Sequence, residues 1–130
     1  MDDDGVRIQR SGDNGAIWSE LHDGVGDIDV QRYFERNLPW PIELEMWVLP
    51  VGASEGIHVH DHTDPDGYAH AREVYLVVDG HARVTLDGVD LDFGPGDAFA
   101  AGSNVARGIV NVGATPLKLV IVNDPGPPLG

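Results

Sequence analysis

Apolar and polar positions in this chain alternate with a period of two, in short runs separated by turn residues. Over residues 42–48, Ile42, Leu44, Met46 and Val48 fall on one face and Glu43, Glu45 and Trp47 on the other. Successive side chains of an extended chain point to opposite faces, so this pattern predicts a half-buried β-strand. Residues 73–78 are a β-branched and aromatic run ending at Asp79-Gly80, and residues 81–86 alternate up to Asp87-Gly88. Both dipeptides suit the positive φ angles of tight hairpins, and two so close together predict an antiparallel meander. Further strands are predicted over 57–62, 89–93, 98–101, 105–111 and 117–123, and another can begin at 16–21.

The intervening segments are less regular. Residues 28–37, with Ile28, Val30, Tyr33 and Phe34, fit a short helix or irregular packing, and Asn37-Leu-Pro-Trp-Pro41 then imposes an extended break. Residues 50–56 read as a loop. The acidic start, residues 1–14, and the Pro/Gly-rich end from Asp124 read as loosely held arms, since proline offers no ladder donor. About eight short strands with regular turns predict an all-β fold, a sandwich or a small barrel whose mouth can enclose a ligand.

A length of 130 residues suits one domain over 1–130, with its core at about 42–123. The 17 glycines and 9 prolines, beside 42% hydrophobic residues, favour frequent turns over long helices. The formal net charge is −14, and Lys118 is the single lysine. Such a field repels phosphate backbones and anionic lipid, so neither nucleic acid nor a membrane is an expected partner. Without cysteine, any metal must be held by nitrogen and oxygen. The start Met-Asp-Asp-Asp-Gly lacks the basic and apolar segments of a signal peptide, and a cytoplasmic location is expected.

Four of the six histidines, His58, His60, His62 and His70, lie within fifteen residues. Solvated loop histidines in an acidic protein would account for their number but not for their spacing. On an extended strand His58, His60 and possibly His62 share one face, where neutral imidazoles can hold one cation. Glu73, at the start of the strand expected to pair with the histidine strand, adds a carboxylate. Two imidazoles and a carboxylate leave open positions and suit Fe, Mn, Zn or Ni. His70 lies at an odd offset from Glu73 and reads as a loop residue, and His81 as solvent-facing. Trp40, Trp47, Tyr75 and Phe99 either line a pocket or join the core.

These residues resemble the first cupin motif, G(X)5HXH(X)3,4E(X)6G. Gly52, His58, His60, Glu73 and Gly80 follow it in order, with about eight extra residues between His60 and Glu73 that read as a loop insertion at the barrel mouth. The second motif, G(X)5PXG(X)2H(X)3N, is met at Gly96 and Asn111. Arg107, however, stands where the last metal-binding histidine of the family belongs, and the proline near Gly102 is missing. The resemblance covers residues 42–123 and implies a cupin-type double-stranded β-helix (jelly-roll barrel), a divalent metal ion and a homodimer.

A guanidinium cannot ligate a cation. Three arrangements are therefore open: a site of His58, His60 and Glu73 with Arg107 holding a substrate anion, a fourth ligand from His62 or His70, or a degenerate site in which Arg107 pairs with Glu73. The expected function is a metal-dependent enzyme acting on a small organic substrate, anionic or oxygenated, of the dioxygenase or isomerase, cyclase or lyase type. Arg107, His62 and Tyr68 are its candidate catalytic residues, the latter two for moving protons. The alternative is a non-catalytic small-molecule binding or sensing domain.

Overall fold

A computed structural model describes residues 5–35, 38–40, 42–60 and 71–124. Ten strands follow in order: β1 (Gly15–Ser19), β2 (Asp27–Tyr33), β3 (Glu43–Leu49), β4 (Ser54–His58), β5 (Arg72–Asp79), β6 (Ala82–Leu86), β7 (Val89–Phe93), β8 (Ala98–Ala101), β9 (Arg107–Asn111) and β10 (Leu117–Asp124). A 3-10 turn, Leu21–Asp23, lies between β1 and β2. The strands form two antiparallel sheets, one in the order β1-β2-β3-β10-β5-β8 and the other in the order β4-β9-β6-β7. Their inward faces share one core that includes Ile28, Leu49, Val77, Val84, Ile109 and Leu119. This is the all-β fold that the alternation predicts and the jelly-roll barrel that the motif resemblance implies.

Residues 27–33 are a strand rather than a helix, because Ile28 and Val30 alternate with the exposed Asp27 and Asp29 and face the core. Strand β3 has its pleat reversed from the apolar count: Glu45, Trp47 and Leu49 point inward, while Leu44, Met46 and Val48 are only partly covered. Its neighbours decide this. The register sets Trp47 opposite Val30 and Leu119, and its ring packs edge-on against Trp18 at 5.7 Å and Tyr75 at 5.9 Å. Glu45 can follow it inside because Trp47 Nε1 and Arg32 Nε each donate to its carboxylate at 3.1 Å.

The two Asp-Gly dipeptides differ. Asp87 and Gly88, both with positive φ, close the β6–β7 hairpin with Leu86 opposite Val89. Asp79-Gly80 is instead a corner between sheets, since β5 pairs with β10 and β8 whereas β6 pairs with β7 and β9. The expected meander is thus split. Gly80 has φ +92 and lies so close to Pro116 O that a Cβ would approach it to 2.8 Å, so glycine is required for either geometry.

Part of the expected N-terminal arm is fastened to the end of β2: Gln9 Nε2 donates to Arg32 O at 2.8 Å, and Phe34 N donates to Gln9 Oε1 at 2.7 Å. Asn111, the buried asparagine of the second motif, donates to Leu49 O and Thr115 O and accepts from Gly113 N, tying β9 to the end of β3 and to the β9–β10 connection.

Candidate metal centre

Strands β4 and β9 place His58 directly opposite Arg107. Glu73 lies in the other sheet, where β5 pairs with β10 and β8 rather than with the histidine strand. The expected neighbouring pair of strands is therefore replaced by a meeting across the barrel interior. Even so, one ligand atom from each of His58, His60 and Glu73 lies within 4.8 Å of the others.

The protonation states suit cation binding. Gly56 O lies 2.9 Å from His58 Nδ1, so this nitrogen carries the proton and Nε2 presents a lone pair. Burial, with smaller contributions from neighbouring His22 and His60, lowers His58 to about 4, leaving the ring neutral at physiological pH. Its Nε2 is buried without a hydrogen-bond partner. Burial pushes Glu73 up, but His60 and Arg107 outweigh it and hold the carboxyl below its ordinary value. His60 Nε2 lies 3.1 Å from Glu73 Oε1. A neutral imidazole with an orphaned buried nitrogen beside an ionised carboxylate fits a divalent cation.

Arg107 is completely buried and does not line the cavity. Its guanidinium donates to Glu73 Oε1 at 2.7 Å, Gly102 O at 2.5 Å and Val105 O at 3.1 Å. Glu73 and two backbone carbonyls thus engage the guanidinium. His62, Tyr68 and His70 lie outside the described residues.

Two residues that pattern reading missed join the cluster. Glu55 is fully buried in β4, where Tyr75 Oη donates to its Oε1 at 2.7 Å. Burial raises Glu55 well above its ordinary value, and Tyr75 is raised likewise by burial and by Glu55. The β4–β9 register shifts between Glu55 and His58, so two residues at an odd offset both face inward. No alternation of apolar residues in Ser54-Glu-Gly56 marks that irregularity. His22, in the 3-10 turn, stacks on His58 with ring centroids 3.7 Å apart and planes 8° apart; only the fold brings the turn there.

The cluster opens onto a cavity of about 630 Å³ lined by polar residues, including His22, Arg32, Glu43, Glu45, Glu55, His60 and Glu73, together with Trp18 and Trp47. Burial raises Glu45, opposed by its bonds to Trp47 and Arg32. Trp40 is 55% exposed, and Tyr75 and Phe99 stack in the core at 4.7 Å. Among the described residues no helix is long and apolar enough to cross a membrane.

The Cupin 2 family, described as Cupin domain, matches residues 45–123. Among solved structures, a protein described as a predicted oxalate decarboxylase from Thermotoga maritima is 22% identical, with TM-score 0.75 over 91% of this chain and 98% of its own. A Cupin 2 conserved barrel domain protein from Salinispora arenicola is 21% identical, with TM-score 0.65 over 92% and 89%. An RmlC-like cupin from Shewanella frigidimarina is 20% identical, with TM-score 0.65 over 93% and 93%. No curated protein matches the sequence.

Proposed function

From a chain that belongs to the cupin domain family, with a buried His/Glu cluster facing a polar cavity, we propose a metal-dependent enzyme acting on a small oxygenated organic molecule. The observation that carries this reading is His58 Nε2, buried without a partner beside His60 and Glu73. A divalent cation held there by these residues would supply Lewis acidity toward an oxygen of the substrate. The chain's own residues do the rest. Trp18 and Trp47 give the substrate an apolar wall. Glu43, Glu45 and Glu73 outnumber Arg32 as acidic groups lining the cavity, so an uncharged, oxygen-rich molecule fits better than an anion. Burial pushes the Glu55 carboxyl well above its ordinary value, and Tyr75 Oη donates to its Oε1, which suits this carboxyl to holding or moving a proton in the cavity.

The second reading, a metal-free binding or sensing domain, rests on the Arg107–Glu73 pair, which already neutralises one ligand. Elemental analysis separates the two. Near-stoichiometric divalent metal, lost from a folded His58→Ala variant, supports the enzyme; a folded wild-type protein that takes up no metal favours the binding domain.

A further inference from the structure

We propose that His22 and Glu55 complete the metal centre in place of the histidine missing from the second motif, so that the cation sits among His22, Glu55 and His58. The inference rests on the metal-binding reading above and moves the cation away from Glu73. Ligand atoms of His22, Glu55 and His58 all lie within 4.8 Å of one another. A single oxygen, Glu55 Oε2, lies 3.7 Å from His22 Nε2 and 3.6 Å from His58 Nε2. Tyr75 Oη occupies the other oxygen of that carboxylate.

Two observations separate this half of the cluster from the Glu73 half. First, the His58 side chain is only 9% exposed and its Nε2 has no hydrogen-bond partner, while the parallel His22 ring lies directly against it. Imidazole lone pairs lie in the ring plane, so the His22 ring turns out of this stack for both Nε2 atoms to meet one cation, which Glu55 Oε2, 3.7 Å and 3.6 Å from them, then shares. Second, Glu73 Oε1 already receives both Arg107 Nη1 and His60 Nε2. A cation against Glu73 would sit beside a buried guanidinium, where repulsion is least screened. On the His22 side the nearby donors are imidazoles and a carboxylate, which suit Zn, Ni, Co or Fe.

The backbone is built to bring His22 in. A Cβ on Gly56 would collide with His22 O, and one on Gly24 would collide with Ser54 O. Glycines at both positions let the turn lie flat on β4. Val25 N donates to Ser54 Oγ at 2.9 Å, and Ser54 N donates to Val25 O at 2.8 Å, pinning the same contact.

The test is a Zn(II) titration by calorimetry, with Co(II) absorption spectra, on metal-free full-length wild type and on His22→Ala, Glu55→Gln, Glu73→Gln and His58→Ala, each checked for folding by circular dichroism. The expected result is loss of binding in His58→Ala, weakening on the order of 100-fold in His22→Ala and Glu55→Gln with an altered Co(II) spectrum, and less than about tenfold in Glu73→Gln. Wild-type affinity and spectrum in His22→Ala, with metal lost in Glu73→Gln, would overturn the inference and leave the metal-dependent enzyme standing. A wild-type protein that binds neither ion overturns both. If a variant does not fold, imidazole 15N spectra of wild type with Zn(II) decide: coordination shifts at the His22 ring support the inference, and an unshifted His22 ring beside a shifted His60 ring refutes it.

Discussion

The two ends of the barrel are built by the same strands and differ in what most of their inward residues bury, Asn111 being the buried polar residue beside Leu49 at the apolar end. On β3 the inward residues run from Leu49 and Trp47 to Glu45 and Glu43; on β10, from Leu117 and Leu119 to Asn123; on β5, from Val77 to Glu73; on β9, from Ile109 to Arg107. The register aligns these changes, with Leu117 opposite Leu49 at one end and Asn123 opposite both Glu43 and Glu73 at the other. One end is therefore closed by apolar packing, and the other stays polar and open enough to hold a cavity. Stability comes mainly from the first, because buried charges in the second offset much of their mutual attraction by desolvation.

The contrast can be broken from the polar side by Arg107→Leu. This leaves Glu73 largely buried without its guanidinium, and breaking such a pair costs about 3–5 kcal/mol. Urea unfolding should show that loss, with part of it regained in Arg107→Leu/Glu73→Leu; a loss below about 1 kcal/mol would mean that water reaches Glu73 freely. From the apolar side, Leu119→Ala at a fully buried position should cost about 3 kcal/mol while leaving metal affinity unchanged. Equal damage to both properties would show that the ends are mechanically coupled.

Metal sharpens the comparison. At a hundredfold excess over its Kd, a divalent ion should stabilise the protein by about 2.7 kcal/mol, reversibly on chelation. Leu119→Ala should keep that increment and His58→Ala should lose it. The smallest effect is in pH. Burial raises Glu45 above 4.5 in the folded state, so the native protein holds a proton that the unfolded chain has released. Stability from this group is full below that value and is lost as pH rises through the folded pKa. Glu45→Gln should flatten the dependence of Tm on pH above 4.5, measured without metal; an unchanged slope would place the titration elsewhere.

Much of this was written in local pattern. Period-two alternation located most strands, and Asp87-Gly88 located a true hairpin, because strand pleat and turn φ angles are properties of a few adjacent residues. The His58 and His60 spacing marked two imidazoles for the same reason, whereas Glu73 was marked by the motif resemblance and meets them only across the barrel interior. The reversed pleat of β3, by contrast, depended on Trp18 and Tyr75, which lie far from Trp47 in the chain. Asp79-Gly80 carries the local mark of a hairpin but serves as a corner, since partner choice lies in other strands.

The candidate site divides along the same line. Residue types and spacing determined that imidazoles and a carboxylate were available and that no thiolate was, and the resemblance to the second cupin motif set an arginine where its last histidine belongs. Only tertiary structure decided that His22 stacks on His58, that a register shift turns Glu55 inward, and that Arg107 engages Glu73. Those contacts join segments distant in sequence, and their geometry follows from how two sheets close on each other rather than from any pattern along one strand.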